Sequence, residues 1–266
     1  MRIYIKHTTR YRYDHSPIWV IHKAVLTPQD DIFQKVMRWG ISVNGGGVQL
    51  ATKDHFGNHV TLIKSKNKLI SIIAEGEIET GIKREQNLRP EKKLPVYCYL
   101  IPTFLTKPGK NLNRIISKFS KGQGKPEGFL NDVSELIRAK VHYQKNTTSS
   151  GTSAEEAFSI GSGVCQDHTH IMISIARALG LPARYVSGYL KLRNKKMQEA
   201  SHAWAEVFFD GYGWRAFDIS NGIAPDQNYV SLARGFDYTD VAPIKGVKIG
   251  ASVESMSTDI IVDENQ

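Results

Sequence analysis

The apolar period of this chain changes along its length, and that change limits the folds open to it. Up to Thr80, apolar and β-branched residues alternate with polar ones in runs separated by turn residues. Such alternation marks half-buried strands. It predicts strands over residues 2–13, 18–26, 33–43, 59–64 and 69–80. Ser16-Pro17, Thr27-Pro28-Gln29-Asp30, Asn44-Gly45-Gly46-Gly47 and Lys53-Asp54-His55-Phe56-Gly57-Asn58 supply the breaks. A succession of that kind folds as an all-β unit, sandwich-like. Residues 81–95 are polar and proline-bounded and read as a linker. After it the period becomes helical: Leu112, Ile115, Ile116 and Phe119 recur in 111–121, and Phe129, Leu130, Val133, Leu136 and Ile137 in 128–141. Ser153 with Glu156 fits a capping box and starts a short helix toward Ile160. The expectation is an α+β protein of two units, 1–95 and 96–266, with residues 246–262 adding a last strand to the second.

Within the second unit, Gly161-Ser162-Gly163-Val164-Cys165-Gln166-Asp167-His168 leads into an apolar helix predicted over 164–179, with Gly180 as its stop signal and Pro182 beyond. Two glycines thus deliver a cysteine to a first helical turn. A helix N-terminus carries roughly half a positive charge and unengaged N–H groups, so it favours a thiolate and binds an oxyanion. The other cysteine, Cys98, has no turn, acid or histidine beside it and reads as packing.

Strands follow at 183–192, 201–209 and 214–218, the last two joined by a turn at Asp210-Gly211-Tyr212-Gly213. Across a hairpin centred near Gly211, Asp218 falls a few residues from the position opposite His202. A diagonal cross-strand pair lies ~7–8 Å apart, within side-chain reach. A helix packed on that face would bring Cys165 to the other ring nitrogen. The chemistry then assigns Cys165 as nucleophile, His202 as proton carrier and Asp218 as its orienting carboxylate, working through a thioester. The Cys165 N–H is a natural oxyanion donor. Gln166, His168, Trp204 and Tyr143 are candidates for substrate-binding or oxyanion roles, with Gln144 beside the last.

A metal centre is the rival for the dense Cys165, Asp167, His168 and His170. Residues two apart on a helix diverge by ~200°, so His168 and His170 do not share one ion, and neither metal nor cofactor is expected. The formal net charge is +9, which suits a nucleic acid, an acidic substrate or an anionic surface. The basic residues between Lys107 and Lys145 lack interleaved aromatics and read as a solvated helix face, so nucleic acid is not expected as partner. No apolar run approaches the ~18 residues of a membrane span. The start of the chain has no apolar signal-type segment, which gives the expectation of a cytoplasmic protein without a membrane partner.

At these residues the sequence resembles the transglutaminase-like cysteine enzymes, specifically the bacterial two-domain group with a β-rich N-terminal region. The resemblance is carried by Gly161 through Asp167, by Arg177-Ala178-Leu179-Gly180-Leu181-Pro182-Ala183-Arg184-Tyr185-Val186-Ser187-Gly188-Tyr189, by Ser201-His202-Ala203-Trp204-Ala205-Glu206-Val207, and by Gly213-Trp214 through Asp218. Asp237-Tyr238-Thr239-Asp240-Val241-Ala242-Pro243 adds to it, as do Thr8-Thr9-Arg10-Tyr11-Arg12-Tyr13 and Asp54-His55-Phe56-Gly57-Asn58 in the β unit. The resemblance implies a papain-like core with Cys165, His202 and Asp218 as a triad. It implies amide-bond chemistry on a peptide or γ-glutamyl-type amide, by hydrolysis or by transfer to an amine. The pattern departs where Ile219 follows the acid in place of the frequent Asp-Pro, and where Phe236 stands in Gly235-Phe236-Asp237-Tyr238 in place of Arg. Two further readings are a binding module with an idle triad and a basic nucleic-acid binder.

Overall fold

The structure is a computed structural model that describes residues 1–82, 94–119, 126–193, 196–251 and 253–264. Six strands come first: β1 (Arg2–Tyr13), β2 (Trp19–Thr27), β3 (Gln34–Asn44), β4 (Gly47–Lys53), β5 (His59–Ser65) and β6 (Leu69–Thr80). The alternation reads directly as burial: in β6 Ile70, Ile72, Ala74 and Ile78 point inward while their neighbours are half-exposed or exposed. Strand β4 escapes the sequence pattern because every one of its residues is exposed. It is held by pairing to β5 at the sheet edge.

Helices follow: α1 (Lys110–Phe119), α2 (Pro126–Lys140), then the short strand β7 (His142–Tyr143), α3 (Ala154–Ile160), β8 (Ser162–Gly163) and α4 (Cys165–Ala178). The remaining elements are β9 (Ala183–Leu190), β10 (Met197–Gln198), β11 (His202–Phe209), β12 (Gly213–Phe217), β13 (Tyr229–Gly235), α5 (Tyr238–Val241), β14 (Ile244–Ile249) and β15 (Glu254–Glu264). The expected linker falls largely at 83–93, outside the described residues. Among the described residues no helix is long and apolar enough to cross a membrane.

Three antiparallel sheets result. One has the order β10-β15-β1-β6-β3, the second β14-β2-β5-β4 and the third β12-β11-β9-β13. The first two enclose a core that includes Ile5, Tyr13, Leu26, Ile63, Ile72 and Val262, so the sandwich expected from the sequence is present. Its makeup differs at one point. Residues 244–264, placed by sequence with the second unit, return to the first: β14 pairs with β2 and β15 with β1. Ile260 and Val262 are buried in the sandwich core. The partners of β15 run from Tyr13 opposite Glu254 to Ile3 opposite Glu264, nearly the whole chain away, a distance over which local periodicity carries no information.

The third sheet supports the helices. Strand β11 presents Ala203, Ala205 and Val207 to the core shared with Ile171, Met172, Ile175 and Ala176 of α4. These small alanines let the helix sit close. Helix α4 ends as the sequence predicts: Gly180 has φ +81°, and the Leu181 N–H reaches back to the Ala176 carbonyl at 2.9 Å. The buried Arg177 fastens this end by donating to the carbonyls of Tyr99, Ala183 and Phe236. The sandwich and the third sheet are tied by charge. Glu206 of β11 accepts from Arg184 of β9 at 2.6 Å and from Arg234 of β13 at 3.2 Å. Arg234 in turn donates to Asp31, in the β2–β3 loop, at 2.8 Å.

Candidate active site

Each glycine of the cysteine turn has its own cause. Gly161 caps α3 at φ +77°, the left-handed conformation that glycine adopts without steric cost. Gly163 leaves room for Asp167: a β-carbon there would lie 2.6 Å from Asp167 Oδ2. That carboxylate accepts from the Val164 N–H and from Thr148 Oγ1, each at 2.7 Å. Asp167 is fully buried, and burial drives its pKa above the ordinary range despite these donors. Asp167 therefore caps the helix that Cys165 begins.

Cys165 is half-buried at the first position of α4. Its position leaves its N–H without an intrahelical acceptor. Its carbonyl accepts from Thr169 Oγ1 at 2.7 Å. Gln166 Nε2 donates to the Ser150 carbonyl at 3.3 Å, which fastens the 148–152 loop beside the cysteine.

His202 opens β11, and its Nε2 donates to Asp218 Oδ2 at 2.6 Å. The hairpin register is the one expected, with Ala205 opposite Phe217 and Phe209 opposite Gly213. Asp218 thus follows the last pair and sits diagonally from His202. The expectation that α4 covers the same face of the sheet is corrected. The helix rests on Ala203, Ala205 and Val207, the alternate set to His202 and Trp204. The imidazole and the thiol face one another at the start of the strand, near enough for the charge of Cys165 to act on the ring. Burial lowers the basicity of His202, but the bond to Asp218 and the charges of Cys165 and Asp218 outweigh it, and its pKa is pushed up to about 10. Asp218 is also buried, which raises its pKa, yet its donors win and hold it below the ordinary carboxylate range.

Those donors include two residues that sequence reasoning missed. Tyr229 OH donates to Asp218 Oδ2 at 2.6 Å and Asn221 Nδ2 at 2.7 Å. Asn221 could have been suspected from Ser220-Asn221-Gly222, a turn signal directly after the acid. Tyr229 carries no local signal, because it reaches the site only through strand pairing.

The remaining candidates separate by burial. Tyr143 is 54% exposed. Burial of its hydroxyl and the neighbouring charges of Cys165 and Asp218 raise its pKa, and pairing with Gly163 sets it beside the cysteine turn, at the mouth of the site. Gln144, next to it, donates its backbone N–H to the Gly163 carbonyl at 2.8 Å. His168 does not line a pocket. It is buried, with Nε2 on the Val141 carbonyl at 2.8 Å and Nδ1 on Ser220 Oγ at 2.9 Å, so it braces the loop after Asp218. Trp204 is likewise buried, its ring packed against His202 and Tyr229; it backs the imidazole rather than facing a substrate. His170 Nε2 accepts from the Tyr238 N–H at 3.2 Å on another side of α4.

Residues 113–219 match the model of the transglutaminase-like superfamily core, and residues 3–79 match that of the bacterial transglutaminase-like N-terminal region. "Uncharacterized protein ML0607" of Mycobacterium leprae is 26% identical over 98% of both chains. "Uncharacterized protein Rv2569c" of Mycobacterium tuberculosis is 26% identical over 98% of this chain and 92% of its own. Among solved structures, a "Putative Cysteine Protease from Cytophaga hutchinsonii" superposes with a TM-score of 0.79 at 22% identity, over 100% of this chain and 92% of that one. It shares the fold.

Proposed function

The chain belongs to the transglutaminase-like superfamily, with a bacterial transglutaminase-like N-terminal region ahead of its core, and from that premise we propose that it is a cysteine hydrolase of peptide or γ-glutamyl-type amides. One observation carries the reading: His202 is hydrogen-bonded to a buried carboxylate, and the helix that begins with Cys165 packs on the strand that His202 opens. In the proposed reaction Cys165 gives its proton to His202 Nδ1, and the thiolate Sγ attacks the amide carbonyl, forming the C–S bond and pushing the carbonyl electrons onto oxygen. The oxyanion is met by the Cys165 N–H, with the Tyr143 hydroxyl as second donor. The His202 Nδ1 proton goes to the leaving nitrogen as the C–N bond breaks, and a thioester remains. His202 then takes a proton from water, whose oxygen displaces the sulfur. Asp218 holds the ring and balances the imidazolium throughout.

Water is favoured as the acyl acceptor because the mouth of the site is open. Tyr143 and Asn221 are both exposed, and transfer to an amine requires water to be shut out. A panel of fluorogenic peptides and γ-glutamyl amides tests the reading, with Cys165→Ala as control and primary amines added. Release that vanishes in Cys165→Ala supports it. Exclusive formation of amine adducts would replace hydrolysis by transfer, and no turnover with any amide would sink it.

A further inference from the structure

Asp218 Oδ2 carries more donors than an orienting carboxylate needs. It receives His202 Nε2 at 2.6 Å, Tyr229 OH at 2.6 Å and Asn221 Nδ2 at 2.7 Å, while Oδ1 receives the Asn221 backbone N–H at 3.2 Å. Convergence of donors on one oxygen fits only an ionised acceptor. The two supporting donors differ in kind. Asn221 lies on an exposed loop, where water can replace its amide. Tyr229 is 6% exposed and opens β13, on the far side of β9 from β11. Its ring stands edge-on to Trp204 at 5.4 Å and 6.0 Å from the His202 ring. An Asx turn at Asp226, which accepts from the Asn228 N–H at 2.8 Å, sets the start of that strand. A ring fixed by packing has one direction in which to aim its hydroxyl, and that direction is Asp218.

We propose that Tyr229 is a positioning residue: its buried hydroxyl fixes Asp218 in the orientation that turns the His202 ring toward Cys165. The proposal rests on the catalytic reading of Cys165 and His202, and it adds a residue outside the matched core segment, 113–219. Loss of the hydroxyl leaves a buried anion short of a donor that solvent cannot supply. The carboxylate then swings, and the imidazole spends less time on the thiol.

The test reads Cys165 directly and needs no substrate. The rate of iodoacetamide alkylation at neutral pH is followed by peptide mass spectrometry, which scores Cys98 separately. Wild type, Tyr229→Phe, Asp218→Asn and the double variant are compared, each with a thermal melt. A hydrogen bond to a charged group corresponds to a loss of about tenfold in Tyr229→Phe. Asp218→Asn should lose at least as much, and the double variant should match Asp218→Asn alone. Equal losses from Tyr229→Phe in both backgrounds, or an unchanged rate, overturn the proposal. Failure of Tyr229→Phe to fold overturns it too, since phenylalanine keeps the packing ring and only a structural hydroxyl would then be at stake. A Cys165 no more reactive than Cys98 in the wild type would instead reject the catalytic reading.

Discussion

His202 Nε2 and Asp218 Oδ2 lie 2.6 Å apart, and the residues that carry them are sixteen positions apart on the two arms of one hairpin. The hairpin fixes the pair locally, so its geometry does not depend on how the helix packs. Asp218→Asn keeps the shape but presents an amide where the ring needs an anion, and it leaves the wrong tautomer facing the thiol. The expected loss in kcat is about 10³–10⁴-fold, with the melting temperature changed by only a few degrees. Steady-state kinetics on whichever amide substrate the panel yields, paired with calorimetry, checks both halves. A loss under tenfold would show that Asp218 is not the orienting acid.

The pH dependence follows from the raised pKa of His202, pushed up to about 10 by Asp218 and Cys165 against burial. The folded pKa is above the ordinary value, so the charged ring stabilises the fold fully below the unfolded pKa of ~6.5. That contribution fades as pH climbs through about 10. Activity that needs the imidazolium falls over the same alkaline limb. Melting temperature measured from neutral to alkaline pH should decline in the wild type and decline less in His202→Gln. Parallel curves for the two proteins would contradict the assignment.

Glu206 gives the opposite sign. Burial raises its pKa, but Arg184 and Arg234 outweigh that and lower it to about 2. Its stabilising charge is complete above the unfolded carboxylate pKa of ~4.3 and disappears as pH falls through about 2. Glu206→Gln leaves the half-buried Arg184 without its anion and Arg234 with Asp31 alone, a change that costs about 3 kcal/mol. Urea unfolding at neutral pH measures it. A cost below about 1 kcal/mol would mean that water reaches the arginines.

The turn before Cys165 separates two glycines that look alike in sequence. Gly163→Ala places a β-carbon 2.6 Å from Asp167 Oδ2, which must move and release the Val164 N–H. Alkylation of Cys165 and catalysis should both fall at least tenfold, the equivalent of about 1.4 kcal/mol. Gly161→Ala meets only the Lys140 carbonyl, at 3.5 Å. It costs about 1 kcal/mol for its left-handed φ and should leave Cys165 reactivity nearly intact. The reverse ranking would refute this account of the motif.

The sequence made legible whatever is local. The alternation of β1 and β6, the capping box at Ser153, the stop of α4 and the hairpin register around Gly211 all depend on neighbours within a few residues. The elements that stayed hidden depend on distant ones. Strand β4 has no buried face to alternate against, β15 finds its partner at the other end of the chain, and Tyr229 meets Asp218 only because β13 pairs with β9. His168 and Trp204 are buried for a related reason: proximity in sequence to Cys165 and His202 says nothing about which way a side chain faces once sheet and helix are packed.

Tyr143 offers the last discrimination, between a donor to the transition state and a wall of the cleft. Its strand pairs with β8 so that Tyr143 is level with Gly163, two residues before Cys165. A hydroxyl that meets the oxyanion acts only when charge develops on the carbonyl oxygen, so removing it lowers kcat and leaves KM in place. On that account Tyr143→Phe loses about 10²-fold in kcat, and Tyr143→Ala adds a rise in KM from the missing ring. A wall residue gives the other pattern: Tyr143→Phe is close to wild type, and only Tyr143→Ala weakens binding. Measuring kcat and KM for both variants decides it, because the phenylalanine differs from the native residue solely in the group under test.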